Sequence, residues 1–288
     1  MAICVREVCP KAELYIGRLD DSHQTDPNQK FSIESCTKAL QWALDQGVDI
    51  ISMSWTYEMT PDDNRKTEFE SKVRDVIKND KAVLFGSLPD LGVIQPSQRF
   101  SPIGLEGVIK ISPAKKSGAV SDENLHQKSD FLFPGENKTN MLGKEVRGSS
   151  FATASAAGLA ALVIYTIKAL AVAPRRTKSD IDTANNALYI AKNWQGLKRI
   201  FEIMSMGKSK EDSKVGPFVR PSQTLVISSA DIEDDDTVLG ALRRIVGDLV
   251  PGHVKRDLLP VGLPSLQVNG SGVFKDGQTG PLREAALE

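Results

Sequence analysis

"VDIISMS", residues Val48–Ser54, is a near-continuous apolar run that begins directly after Gly47. A strand with one wet face alternates polar and apolar residues. A run this apolar fits a strand covered on both faces, which is the situation inside a parallel sheet. Working outward, the preceding stretch "FSIESCTKALQWALDQG" places Cys36, Ala39, Leu40, Ala43 and Leu44 on one helical face. Ser32 is in position to cap that helix and Gly47 to stop it in a left-handed conformation. On the other side, Phe69, Val73, Val76 and Ile77 share one face of a helix over 62–79. "KAVLFGSL" (Lys81–Leu88) and "EGVIKIS" (Glu106–Ser112) are two further buried strands. "KAELYIGRL" (Lys11–Leu19) alternates like a strand. Strands alternating with helices predict an α/β fold, a parallel sheet flanked by helices and joined by right-handed crossovers. Val48–Ser54 and Ala82–Ser87 are expected to be adjacent central strands.

The rest of the chain is organised around helices. "SSFATASAAGLAALVIYTIKALAV" (Ser149–Val172) predicts a long helix of small and apolar residues, and a helical stretch follows over about Ser179–Met204. Residues 151–173 are long enough to span a bilayer. However, Thr153, Ser155, Thr166 and Lys168 interrupt them, and the alanine content suits close packing inside a protein, so no membrane partner is expected. Beyond Met206 the pattern decays into a charged linker, a further helix in "DDDTVLGALRRIVGDLV" and a tail expected to be disordered. The expected division is a sheet domain over 1–175, a helical extension over 176–206, and linker, helix and tail over 207–288.

Bulk properties narrow the function. A formal net charge of −1 over 288 residues offers no electrostatic attraction for nucleic acid or an acidic membrane. Three cysteines, Cys4, Cys9 and Cys36, make an odd and low count, against a disulfide scaffold and in favour of an intracellular setting. No Cys/His cluster has zinc spacing, no acidic loop stands out as a calcium site, and no cofactor is expected.

Ser150 is the residue that raises a question of chemistry. A serine at a helix start is ordinarily a cap. The same place also suits a nucleophile, because a helix N-terminus presents free N–H groups and a positive dipole end, and Gly148 permits close backbone approach. "GSSFATASAAG" resembles the serine motif of the subtilisin-like proteases, Gly-Thr-Ser-Met/Phe-Ala-x-Pro-x-x-x-Gly. Gly148, Ser150, Phe151, Ala152 and Gly158 match; Ser149 replaces the threonine and Ala154 the proline. Three more segments carry the resemblance in order. "GVDIISMSW" resembles the strand that pairs with substrate, with Ser54, Trp55 and Thr56 on its Ser-Leu-Gly ending. "AVLFGSLPDLG", with Ser87 and Leu88, resembles the strand leading to the oxyanion asparagine, whose position Asp90 takes. "SPIGLEGVIKISPAKKSGAVS" and "DFLFPGEN" resemble the segments that follow.

The resemblance covers about Ala12–Leu170. It implies a three-layer α/β/α fold, incomplete at the N-terminus and of the fungal type, and a serine endopeptidase of the peptidase S8 class acting on peptide or protein substrates. Ser150 would be the acylated nucleophile, Asp90 the oxyanion residue, and Ser54, Trp55, Thr56, Ser87 and Leu88 the substrate-binding residues. Trp55 hints at an apolar or crowded pocket. The resemblance also implies an Asp and a His ahead of the segment "CPKAELYIGRL", and neither motif is in this chain. His23, His126 and His253 lie in polar loop or tail sequence without the context of a base. The expectation is therefore a chain inactive alone, part of a longer parent, or else a non-catalytic peptide- or protein-binding module. An ionised Asp90 would repel an oxyanion; it could serve if protonated or offset by backbone donors. Some proprotein-processing relatives carry Asp there.

Overall fold

The computed structural model describes residues 1–19, 31–59, 64–95, 97–124, 127–136, 138–139, 143–205, 215–252 and 282–287. In chain order the elements are α1 (Ala2–Val8), β1 (Ala12–Gly17), α2 (Ile33–Asp45), β2 (Ile50–Met53), α3 (Asn64–Lys78), β3 (Val83–Ser87), β4 (Val108–Ala114), β5 (Phe131–Pro134), α4 (Ser149–Val172), α5 (Lys178–Ala191), α6 (Trp194–Ile203), α7 (Asp235–Leu249) and β6 (Leu282–Leu287). The six strands form one all-parallel sheet in the order β1-β6-β2-β3-β4-β5. The two central apolar runs are neighbours, with Ile50 opposite Val83 and Met53 opposite Gly86.

Alternation along the buried strands sends side chains to two separate cores. Ile51, Met53, Leu84 and Val108 pack against Leu40 and Ala43 of α2 and Phe69, Val73 and Val76 of α3. Ile50, Val83, Phe85, Ile109 and Phe131 point the other way, onto α4. This two-sided cover is why β2 and β3 read as apolar runs. α2 starts and stops as its sequence directs. The Ser32 hydroxyl accepts from the Ser35 amide at 3.1 Å, and Gly47 takes the left-handed conformation at φ 65°.

α4 runs behind the sheet, buried along Ala152–Ala161. It is the one helix among the described residues long and apolar enough to cross a membrane, and most of it lies inside the molecule. Its small residues let other helices approach: a Cβ at Gly158 would stand 3.0 Å from the Val5 carbonyl oxygen of α1. The expected stretch over 179–204 is two helices, because Asn193 caps a new one by accepting from the Gln195 and Gly196 amides. Ala184, Ala187 and Ile190 of α5, Leu197, Ile200 and Phe201 of α6, and Ile245 and Val246 of α7 belong to the same core as α4. The core thus runs continuously past residue 175.

Two elements depart from the sequence reading. Residues 2–8 form a helix where none was expected; it is short, and it gains its burial from α4. Leu282–Leu287, placed in a disordered tail by composition, form a strand between β1 and β2. The linker over 206–214 and the tail over 253–281 lie outside the described residues.

Candidate active site

The carboxyl ends of β2 and β3 and the N-terminus of α4 meet at one edge of the sheet, the position where ligands bind in open α/β folds. α4 begins at Gly148, whose φ of 137° and ψ of 167° only glycine adopts readily. Two close approaches fix it there. The Gly148 amide donates to the Gly135 carbonyl at 2.9 Å, and a Cβ at Gly135 would lie 2.9 Å from the Gly148 oxygen. This turn presents Ser149 inward and Ser150 outward. Ser149 is buried at 2% exposure. Ser150 is partly exposed, and its hydroxyl donates to the Ser54 carbonyl at 2.9 Å. The Ser54 hydroxyl donates back to the Ser150 carbonyl at 3.4 Å. The end of β2 and the start of α4 are thus stitched together at the serine expected to be the nucleophile.

Asp90 sits on the other side of the same turn. Its carboxylate accepts from the Ser149 amide at 3.0 and 3.2 Å and from the Ser149 hydroxyl at 3.1 Å. The single proton of the Ser149 hydroxyl is shared between Asp90 and the Leu88 carbonyl. Gly148 itself has no side chain to cap α4, and Asp90 does so from a distant loop. In this arrangement Asp90 is an acceptor, whereas an oxyanion residue must donate. Asp90 as a whole is solvent-exposed, but its carboxyl is turned inward onto Ser149. Burial of that group pushes its pKa above the ordinary carboxylate value; the hydrogen bonds from Ser149 and Asn124 pull against this, and the charge of Glu123 adds to it.

The loop carrying Asp90 is itself held. Gln127, buried, donates to the Pro89 carbonyl at 2.7 Å and to the Gly92 carbonyl at 3.3 Å, and Asn124 donates to the Pro89 carbonyl at 3.3 Å. Nothing in the polar stretch "SDENLHQKSD" marks these two residues as supports. Ser149, seen in sequence only as a substitute for threonine, is the residue that joins β3, Asp90 and α4.

The residues expected to bind substrate divide by exposure. Ser54 and Thr56 are partly exposed, while Trp55, Ser87 and Leu88 are buried. The Trp55 ring stacks on Tyr57 at 6.1 Å and packs against Phe31 at 5.1 Å and Phe69 at 5.8 Å. It is part of the aromatic core beneath the edge, not an open pocket wall. Leu88 joins Phe100 and Ile103 in a small cluster of its own. The Leu88 amide donates to the Ile111 carbonyl at 3.2 Å, and Ser87 belongs to β3, which is paired on both sides. His23, His126 and His253 all lie outside the described residues. Among the described residues no group of three or more His, Cys, Asp or Glu could hold a metal ion.

A family model described as the subtilase family, peptidase S8, matches residues 1–192, a stretch holding Ser54, Asp90 and Ser150. The chain belongs to the subtilase family. The subtilase match runs from α1 through α5, and α6 lies beyond it. Among solved structures, this subtilase chain is similar to a lanthipeptide protease, at 17% identity and TM-score 0.54 over 77% of this chain and 72% of that one. It is also similar to the patellamide maturation protease PatA, at 14% identity and TM-score 0.47 over 76% and 72%. A third is MycP1, a serine protease of the type VII (ESX-1) secretion system, at 20% identity and TM-score 0.47 over 69% and 60%. At these identities the likeness to the lanthipeptide protease speaks for the fold alone. No curated protein matches the chain. The chain is a subtilase-family protease domain.

Proposed function

We propose that this subtilase chain carries the nucleophile half of a serine endopeptidase site, with Ser150 acylated by the peptide substrate and the base and acid supplied by sequence outside residues 1–288. The observation that carries the reading is the placement of Ser150. It is partly exposed at the N-terminus of α4, where the ends of β2 and β3 converge, with its hydroxyl 2.9 Å from the Ser54 carbonyl. The helix end supplies donors for a developing oxyanion. A serine hydroxyl still needs a base within about 2.6–3.2 Å to become a nucleophile. Residues 1–288 alone are thus inactive in this reading. The edge at Ser54–Thr56 takes the extended substrate backbone. The helices after residue 175 support a fungal-type assignment, and the burial of Cys4, Cys9 and Cys36 as thiols in no disulfide supports an intracellular setting.

The test is peptide hydrolysis by residues 1–288 and by a longer chain that restores the upstream Asp and His motifs. Activity only in the longer chain, abolished by Ser150→Ala, is expected. Activity that survives Ser150→Ala overturns the reading.

A second reading is favoured by Asp90, whose carboxylate takes up the Ser149 amide and places an anion beside the site. The chain would then bind extended peptides without cleaving them. Titration of the Ser150→Ala longer chain with substrate peptide separates the two: binding without turnover by the unsubstituted longer chain favours the binding module.

A further inference from the structure

Nine large apolar side chains are exposed among the described residues, and three of them, Val226, Ile227 and Ile232 at 48, 60 and 64%, fall within seven positions. Exposed apolar residues scattered singly are ordinary, whereas a group of them marks a contact surface. Internal bonds hold the segment that carries them. The Leu225 amide donates to the Pro221 carbonyl at 2.7 Å, and the Leu225 side chain packs against the main core. The Ser228 amide and hydroxyl donate to the Asp231 carboxylate at 2.8 and 3.0 Å, closing the 3₁₀ turn Ser229–Ile232. One Arg244 nitrogen donates to the Val226 carbonyl at 3.2 Å and to the Asp231 carboxylate at 3.1 Å. That bridge draws the start of the segment to its turn and so brings Val226 beside the position of Ile232. Leu225 faces the core while its aliphatic neighbours are held outside.

The same surface is acidic. Position 231 and positions 233–236 are all Asp or Glu. Two arginines answer these five carboxylates, Arg244 at Asp231 and Arg175 at Asp236, which leaves a local surplus of three negative charges. Among the described residues neither Glu233 nor Asp235 has a Lys or Arg within ion-pair distance. The sign selects the occupant. It repels nucleic acid and anionic membranes, and a second copy meeting through the same face would set acid against acid. It attracts a cationic segment. The Arg175–Asp236 pair places this surface beyond the C-terminal end of α4, a helix of 24 residues and about 36 Å with Ser150 at its other end. The surface is therefore separate from the serine edge.

We propose that Val226–Asp236 is a docking surface for a partner protein, and that the element it takes is a basic amphipathic segment. Aliphatic residues of the segment lie on Val226, Ile227 and Ile232, and its Lys or Arg side chains stand beside Glu233 and Asp235. Removal of the aliphatic side chains from water supplies the affinity, and the charges orient and speed the encounter. The inference does not depend on peptidase activity.

The test uses the full chain and a fluorescein-labelled peptide, Lys-Lys-Leu-Ile-Lys-Lys-Leu-Ile-Lys-Lys, followed by fluorescence anisotropy. The unsubstituted chain should bind it, and the pair Ile227→Ser and Ile232→Ser should weaken binding at least tenfold. The pair Glu233→Gln and Asp235→Asn keeps the aliphatic residues and the Asp234 cap, and remains informative should the first pair fail to fold. It should weaken binding at least fivefold, by a factor that shrinks as salt rises. A peptide with Glu in place of every Lys should not bind. No binding by the unsubstituted chain, equal affinity across the three chains, or equal binding of the acidic peptide overturns the proposal. So does a dimer in sedimentation velocity that the Ile227→Ser and Ile232→Ser pair dissolves, which would give the surface to a second copy. Binding to phosphatidylserine vesicles that the same pair abolishes overturns it too, in favour of a membrane.

Discussion

Replacing Gly148 by alanine should damage the site through two separable effects, and their separation tests the geometry around Ser150. The first is backbone strain. At φ 137° and ψ 167° an L-residue is held in a region that costs about 1–3 kcal/mol. The second is a collision. A Cβ at Gly148 would stand 2.8 Å from the Asp90 carboxylate oxygen, closer than such atoms approach, and the carboxylate would have to leave. Leaving forfeits the cap on α4, about 1 kcal/mol. Gly148→Ala should therefore cost about 3 kcal/mol, and Asp90→Ala about 1–2 kcal/mol through the lost cap and the orphaned Ser149 amide. In the double variant no carboxylate is present to collide with, so only strain and the lost cap remain. The sum of the single effects should exceed the double effect by about 1 kcal/mol. Urea denaturation of the four chains, followed by tryptophan fluorescence, measures it. Additivity within about 0.3 kcal/mol would refute the claim that Asp90 caps α4 across Gly148.

Further outcomes follow from the same contacts. Phe201 is fully buried against Phe85, Phe131 and Phe133, so Phe201→Ala should cost about 3–5 kcal/mol in thermal or urea unfolding; a loss below 1 kcal/mol would mean that α6 does not dock on the sheet. Asp180 accepts from the Thr177 amide at 2.7 Å and from Arg243 at 2.7 Å through each oxygen, tying α5 to α7. Asp180→Ala should cost about 2 kcal/mol from the cap and the charged hydrogen bonds, and Arg243→Ala less, because that side chain is half exposed. The Asp90 carboxyl has its pKa raised by burial, so its protonated form favours the fold: the stability it contributes is present below its unfolded pKa and is lost as pH rises through the raised folded value. Asp90→Asn should match the unsubstituted chain below about pH 3 and be the more stable at about pH 7; a gap that shrinks as pH rises would contradict this.

Much of the sheet was legible because its signals are local. The apolar runs at 48–54 and 81–88 declare burial on both faces, and Ser32 and Gly47 mark the ends of α2 with atoms of their own. α1 was not legible, since its seven residues include Arg6 and Glu7 and its burial comes from the small-residue surface of α4 around Gly158. β6 was not legible either, because "LREAAL" carries no strand pattern and is a strand only where two edges wait for one. In the site, Ser150 and Asp90 were visible through an ordered set of motifs. The part Asp90 plays was not, because it depends on Asn124 and Gln127 holding a loop and on an absent side chain at Gly148. The surroundings of Trp55 were not legible for a related reason: alternation past the end of β2 turns its ring into the aromatic core with Phe31, Tyr57 and Phe69.

The account rests most heavily on Ser150 as a nucleophile whose base comes from elsewhere. The direct measurement is covalent labelling by a fluorophosphonate, with the modified residue mapped by mass spectrometry, on residues 1–288 and on a longer chain carrying the upstream Asp and His motifs. The account predicts adduct on Ser150 in the longer chain, none in the shorter, and none in either after Ser150→Ala. Adduct on Ser150 in residues 1–288 alone, or a longer chain that stays unlabelled, would contradict it.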